Sequence, residues 1–174
     1  VWRGDGPQHT FLGASPMFHM QGLQALINTT TYLGATVVLL PRWDAARAAK
    51  LIVAHRVNRW GVAPPMLLVL LALPGLRPET LASVGVITGG GSALPQAVNE
   101  RLTEELGIHY MEAYGMTETA SMLMANPLHR GKRQCLGIPQ FGVSAMVVDP
   151  VTLEPYPDGE TAEIGELWVA GEQV

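Results

Sequence analysis

Strand-like and helix-like segments alternate along the first two thirds of the chain, and this alternation constrains its fold more than any other feature. Residues 36–40 are apolar and rich in β-branched side chains, which is typical of a buried strand. Asp44 then begins an amphipathic segment that continues to about Arg56, with Ala48 and Ile52 on one face. The predicted strands are 10–14, 36–40, 59–63, 84–88 and 108–113, and the predicted helices are 21–33, 44–56, 65–73 and 95–106. This order predicts an α/β fold with a mostly parallel sheet flanked by helices.

The pattern changes near residue 130, where short strand-like runs alternate with turns rich in Pro and Gly. Runs at 144–148 and 163–169 flank a turn at 155–159. This spacing is typical of a short antiparallel sheet or of part of a barrel. We therefore expect an α/β subdomain over residues 1–128 and the truncated start of a β-rich subdomain over residues 129–174.

Composition excludes several classes of function. The chain has 174 residues, of which 48% are hydrophobic and 15% charged, so it can bury a sizeable core. A formal net charge of -4 without a Lys/Arg cluster argues against binding to nucleic acid, which needs a basic surface. The single cysteine, Cys135, cannot form an internal disulfide.

The ends and the apolar runs bear on location. The most apolar run, residues 62–76, is interrupted by prolines and is shorter than the ~20 residues that a membrane-spanning helix needs. No basic segment followed by an apolar one opens the chain, so no secretory signal is visible and we expect a cytoplasmic protein. The chain starts without Met and stops within an apolar run, from which we expect a piece of a longer protein.

Residues with unusual chemistry follow four of the predicted strands. They lie in the segments 15–19, 63–66, 89–92 and 113–118. Loops that follow the strands of a parallel sheet gather at one edge, where α/β proteins bind their ligands. We therefore expect these four segments to converge on a common site.

A glycine-rich turn occupies one of these segments, as Gly89, Gly90, Gly91 and Ser92 lead into a predicted helix. Backbone can approach a ligand closely at glycine, and a helix N-terminus offers free N–H groups to an anion. One interpretation is a dinucleotide fingerprint with Glu112 as the ribose-binding acid, although Leu94 holds the third glycine position. The structural alternative is a tight turn that packs a helix against a strand.

The segment from Ala113 to Glu118 combines several kinds of binding chemistry. Tyr114 can stack on a base, and Gly115 and Met116 separate it from the hydroxyl of Thr117. The carboxylate that follows suits a divalent cation. The structural alternative is a turn followed by a Thr-capped helix start.

Three segments resemble those of the adenylate-forming enzymes and occur in the family's order. The resemblance is to the acyl- and aryl-CoA synthetases more than to peptide-synthetase adenylation domains. The matching segments are Pro16-Met17-Phe18-His19-Met20-Gln21-Gly22, Gly90-Gly91-Ser92-Ala93-Leu94 and Tyr114-Gly115-Met116-Thr117-Glu118. Later segments at 137–142 and 165–171 are similar to two structural segments of that family. The sequence contains neither the Gly-x-Ser-x-Gly motif of hydrolases nor the Gly-Lys-(Ser/Thr) motif of P-loop proteins, which argues against both classes.

The resemblance implies an enzyme that joins a carboxylic acid to ATP, releases pyrophosphate and transfers the acyl group from AMP to coenzyme A. It implies that His19 borders the activation site, that Thr117 contacts phosphate and that Glu118 helps to hold Mg²⁺. It assigns nucleotide binding to the glycine turn and the strand end that follows. Those residues are Gly90, Gly91, Ser92, Glu112, Ala113, Tyr114, Gly115, Met116 and Thr117.

The same resemblance also implies missing parts. The family's Lys-containing phosphate loop, ribose-binding Thr-Gly-Asp segment and C-terminal domain are not in this sequence. We therefore expect the chain alone to be inactive and to self-associate through surface exposed by truncation. Among apolar side chains, Phe18, Met20, Met66, Met116 and Met122 suggest an acyl pocket, although such residues also fill cores. A dinucleotide-binding module and a non-catalytic structural fragment stay open as alternatives.

Overall fold

The computed structural model describes residues 4–128, 130–132, 134–157 and 164–174. Two sheets form within these ranges. The larger consists of β1 (Thr10–Gly13), β2 (Thr36–Leu39), β3 (Arg59–Val62), β4 (Val86–Gly89), β5 (His109–Met116), β6 (Ser121–Ala125) and β7 (Ile138–Pro139). The smaller consists of β8 (Val143–Val148) and β9 (Glu166–Gly171).

The larger sheet has the order β2-β1-β3-β4-β5-β6-β7. The first five strands in this order are parallel, whereas β6 and β7 are antiparallel to their neighbours. The smaller sheet is an antiparallel pair. The predicted α/β class with a mostly parallel sheet and a short antiparallel segment is therefore confirmed. The division near residue 128 stays a prediction.

Helices connect the parallel strands, as the alternation requires. They are Gly22–Asn28, which has π-type hydrogen bonding and continues as Thr29–Leu33, then Ala45–His55, Pro64–Leu71, the 3₁₀ turn Pro78–Leu81, and Gln96–Glu100, which continues as Arg101–Glu105. Asp44 caps the helix at 45–55, since its carboxylate accepts a hydrogen bond from the Arg47 backbone N–H at 2.8 Å. The next helix begins on two prolines, whose fixed φ suits a first turn.

The structure corrects the prediction for the end of β5. The strand does not stop at residue 113 but continues to Met116, and it turns back through residues 117–120 into β6. The expected alternative of a helix start at Thr117 is wrong, and β6 itself was not predicted. Ser121–Ala125 is a short run without polar alternation, so its pairing with β5 shows only in three dimensions.

The two faces of the parallel sheet are packed differently. On one face, Leu12, Trp60 and Ile87 lie in register and are buried in the main core, against helices 45–55, 64–71 and 96–105. The residues that alternate with these three along the strands, such as Phe11 and Gly61, face the opposite side of the sheet. Helix 22–33 partly covers that side. Within the described ranges, no helix combines the length and the hydropathy that crossing a bilayer requires.

Candidate active site

A cavity of about 430 Å³ lies on the face of the sheet opposite the main core. Its floor includes Phe11, Gly61 and Thr88 from three neighbouring strands, and helix 22–33 forms one wall. The glycine turn after β4 and the end of β5 form its rim. Since these strands are parallel, the cavity opens at their carboxyl ends, where the sequence predicted a site.

The glycine turn brings backbone against backbone at the rim. A Cβ atom placed on Gly90 would lie 2.6 Å from the carbonyl oxygen of Ala113, so no side chain fits there. Gly91 follows with φ +86°, in the left-handed region that glycine adopts without strain. The turn therefore presents main-chain atoms to the cavity, with Leu94 buried beneath it.

The end of β5 supplies the other half of the rim. Ala113, Tyr114, Gly115, Met116 and Thr117 all line the cavity. The pairing with β6 shifts register between Tyr114 and Gly115, which is the irregularity expected of a bulge. Such shifts redirect side chains, and here the redirected segment borders the cavity.

The turn after β5 is fixed by Thr119, which sequence reasoning overlooked. Its side chain is only 1% exposed. Its hydroxyl donates to the Met116 carbonyl oxygen at 3.2 Å and accepts from the Met116 N–H at 3.3 Å. These bonds close the turn that carries Thr117 and Glu118, both of which are exposed.

His19 lies at the mouth of the cavity, just before helix 22–33. Its backbone N–H donates to the Pro16 carbonyl oxygen at 3.1 Å, and its ring Nδ1 accepts from the Gln21 N–H at 3.1 Å. Because a backbone N–H can only donate, Nδ1 carries no hydrogen in this arrangement and Nε2 carries it. The loop therefore holds the imidazole as a hydrogen-bond donor at Nε2.

Glu112 lies outside this cavity. Its side chain points to the other face of β5 and lines a second cavity of about 400 Å³, together with Asn99, Asn126 and Lys132. Its Oε2 accepts a hydrogen bond from the Cys135 N–H at 3.2 Å. Burial of the Tyr110 phenol raises its pKa, and the charge of Glu112 raises that pKa further.

The predicted residues thus fall into two groups. His19, Gly90, Gly91, Ala113, Tyr114, Gly115, Met116 and Thr117 line the main cavity, whereas Ser92, Glu112 and Glu118 do not. Of the apolar candidates, Met20, Met116 and Met122 line it. Phe18 is 93% exposed, and Met66 packs against the main core. Both were therefore wrong as pocket residues.

Several lining residues had no assigned role in the sequence analysis. Gln21, Gln24 and Thr29 come from helix 22–33, and Arg59 and Gly61 come from β3. The available signal was a charged residue and a glycine inside a run that otherwise reads as a buried strand. It was not enough to show that their face of β3 borders a cavity.

Arg59 lines the cavity and is paired from behind. Its Nε donates to Asp5 Oδ1 at 2.6 Å, with the two side chains 14% and 5% exposed. Its Nη1 donates to the Asn58 carbonyl oxygen at 3.0 Å, and its Nη2 lies 2.9 Å from His9 Nε2. Since a guanidinium only donates, His9 Nε2 is the acceptor.

Comparisons with known proteins identify the family. The model of the AMP-binding enzyme family matches residues 1–174. A long-chain-fatty-acid–CoA ligase of Bacillus subtilis is 32% identical over 167 residues, which cover 94% of this chain and 29% of that protein. A feruloyl-CoA synthase of an Amycolatopsis species is 29% identical over 165 residues, which cover 94% of this chain and 33% of that protein.

Solved structures agree with these relatives. ATP-bound MatB from Rhodopseudomonas palustris superposes with a TM-score of 0.86 at 30% identity, over 99% of this chain and 33% of that one. The O-succinylbenzoate coenzyme A synthetase of Bacillus subtilis, solved with ATP and a magnesium ion, gives 0.77 at 30% identity, over 98% of this chain and 34% of that one. The chain spans about a third of the length of these proteins. With a family match along its whole length and CoA ligases as its relatives, the chain belongs to the AMP-binding enzymes.

Proposed function

We propose that the main cavity holds the acyl group of an acyl-adenylate and that its rim holds the adenylate. One observation carries this proposal: His19, the glycine turn, Tyr114 and Thr117 lie around a single cavity. Its lining includes Phe11, Met20 and Leu26, which suit an apolar acyl group. The parent reaction is then the conversion of a carboxylic acid, ATP and CoA to acyl-CoA, AMP and pyrophosphate.

Each rim residue has a role that follows from its chemistry. The ring of Tyr114 stacks on adenine, and base–aromatic stacking needs no particular base edge. Gly90 and Gly91 carry no side chain, and a Cβ on Gly91 would meet nothing within 4 Å, so the nucleotide can approach the backbone of this turn. The exposed hydroxyl of Thr117 donates to a phosphate oxygen.

Two residues, His19 and Glu118, stabilise the negative charge at the reacting phosphate in this proposal. The Nε2–H of His19 donates toward the oxygen on which negative charge grows as the carboxylate attacks phosphorus. Glu118, which is exposed next to Thr117, would hold Mg²⁺, and the ion would supply positive charge to the phosphoryl oxygens. The described residues contain no group of three or more His, Cys, Asp or Glu side chains suited to a metal ion. One carboxylate nevertheless fits Mg²⁺, which takes most of its ligands from phosphates and water.

We further propose that this polypeptide by itself binds ligand without turning it over. Its sequence has no Gly-rich loop with a Lys for the pyrophosphate oxygens. No lysine is found among the described residues that line the cavity. Binding of an acyl-adenylate depends on the cavity and its rim, whereas pyrophosphate release also depends on a phosphate-binding loop with its Lys.

Calorimetric titration of the 174-residue chain tests the proposal. A non-hydrolysable octanoyl-sulfamoyl-adenosine should bind, AMP should bind more weakly, and NAD⁺ should not bind. Binding of NAD⁺ in place of the adenylate analogue would favour the dinucleotide-binding alternative. Absence of binding by all three, with the fold verified by circular dichroism, would leave a non-catalytic structural fragment.

A further inference from the structure

The floor of the cavity contains an open position at Gly61. A Cβ atom placed there would have one side-chain atom near it, Gln21 Nε2 at 3.8 Å, which is ordinary van der Waals contact. By contrast, a Cβ on Gly13, in the neighbouring strand β1, would lie 2.9 Å from Leu39 Cδ2. Gly13 therefore fills a packed site, whereas Gly61 leaves space in the cavity.

Gly61 also lies at a defined depth. It pairs with Thr88, which is two residues before the rim glycine Gly90, and Arg59 lies two residues further toward the amino end of β3. At a rise of about 3.3 Å per residue, Gly61 is about 7 Å below the rim and Arg59 about 13 Å below it. A tail that enters at the rim therefore passes Gly61 before it reaches Arg59.

Arg59 lies at the deep end of this path, and its positive charge is already paired with the carboxylate of Asp5. Its guanidinium donates to the carboxylate of Asp5, to a carbonyl oxygen and to the ring of His9. No Asp, Glu or Lys of the described residues lines the cavity. A second carboxylate at the end of the tail would compete with Asp5 for Arg59 and would lose its own hydration.

We propose that Gly61 sets the length of tail that the cavity accepts, and that the Asp5–Arg59 pair excludes tails ending in a carboxylate. The substrate class is then a monocarboxylic acid with an uncharged, largely apolar tail, and not a dicarboxylic acid. This inference rests on the proposed function, because it assumes that the cavity holds the acyl group.

A series of acyl-sulfamoyl-adenosines, titrated calorimetrically into the chain, tests the role of Gly61. From acetyl to octanoyl, affinity should rise about fourfold per methylene until the floor is reached. Gly61→Val should stop this rise at a shorter tail and so lower the octanoyl-to-acetyl affinity ratio at least tenfold. Gly61→Ala should have a smaller effect in the same direction. Ala54→Val, which adds bulk on the exposed face of helix 45–55, should keep the wild-type ratio.

A tail that is long enough to reach Arg59 and ends in a carboxylate, compared with a tail of the same length that ends in a methyl group, tests the role of Asp5. The tail that ends in a carboxylate should bind at least tenfold more weakly than the matched methyl-ended tail, and Asp5→Asn, which removes the charge and keeps an acceptor for Arg59, should narrow that difference in affinity. Equal affinity for the two tails in the wild-type chain would overturn the charge argument. An unchanged length profile in Gly61→Val, folded by circular dichroism, would overturn the length argument. Absence of binding for every analogue would instead contradict the proposed function.

Discussion

The hydroxyl of Thr119 bonds to both backbone groups of Met116, at 3.2 Å to the carbonyl oxygen and 3.3 Å to the N–H. Thr119→Val keeps the shape of the buried side chain but removes both hydrogen bonds. We expect the free energy of unfolding to fall by about 1–3 kcal/mol, measured by urea denaturation, because two hydrogen bonds to the backbone are lost. Affinity for the octanoyl-adenylate analogue should fall as well. Thr119→Ser keeps the hydroxyl and should preserve affinity better than Val does; equal losses would show that the hydroxyl does not order the turn.

Tyr114→Ala removes the proposed stacking ring. Loss of a base–aromatic contact costs about 1–3 kcal/mol, which corresponds to a roughly 5- to 150-fold weaker dissociation constant. Calorimetric titration with the adenylate analogue measures it directly. Tyr32→Ala is the matched control, since Tyr32 is 91% exposed on helix 29–33 and does not line the cavity. Unchanged affinity in Tyr114→Ala would place the adenine elsewhere.

Gly90→Ala tests whether the rim requires close backbone approach. Its Cβ would lie 2.6 Å from the Ala113 carbonyl oxygen, so β4 and β5 would have to separate. Overpacking of this kind costs about 1–3 kcal/mol in the free energy of unfolding.

The same substitution at Gly61 is the control for Gly90→Ala. A Cβ at Gly61 meets nothing closer than 3.8 Å, so Gly61→Ala should not lower the free energy of unfolding in the way that Gly90→Ala does. If chemical denaturation gave the two variants the same stability, the steric explanation would be wrong.

Because of Tyr110, the free energy of unfolding should depend on pH in the alkaline range. Burial, and then the charge of Glu112, raises the pKa of its phenol above that of a free tyrosine. Above about pH 10 the unfolded chain loses the phenolic proton while the folded chain keeps it, so stability falls as pH rises. Tyr110→Phe should flatten this fall, as followed by urea denaturation between neutral pH and pH 11.

Tyr110→Phe should also be neutral or stabilising at pH 7. The phenolic oxygen is buried without a hydrogen-bond partner among the described residues, so removing it exposes no unpaired group. Tyr32→Phe, at an exposed position, should leave the pH profile unchanged. A large loss of stability in Tyr110→Phe at neutral pH would contradict this reading of the side chain.

Regular amphipathic segments were the part of the fold that the sequence predicted best. The helix after Asp44 begins and ends within a residue of its predicted bounds, because a capping carboxylate and a repeated apolar face are local signals. The continuation of β5 to Met116 was missed, because Gly115 and Thr117 resemble loop residues and the pairing strand lies beyond a turn.

The candidate site divides in the same way. Tyr114 and Gly90 belong to contiguous segments with a recognisable order of residue types, and the structure brings both segments to one cavity. Gly61 and Arg59 border the cavity because their strand pairs with strands that are distant along the chain. The residues next to them in the sequence do not reveal this pairing. Thr119 bonds to two main-chain atoms of Met116. Every residue has such atoms, so the sequence does not show which of them the hydroxyl contacts.

The segment Ala113–Met116 is held in the sheet by its pairing with β6. Its amide hydrogens should therefore exchange slowly with deuterated solvent even in the free protein, and a bound ligand should slow them only modestly. A rim already ordered by the sheet loses little chain entropy when it closes on a ligand, so affinity depends mainly on the new contacts.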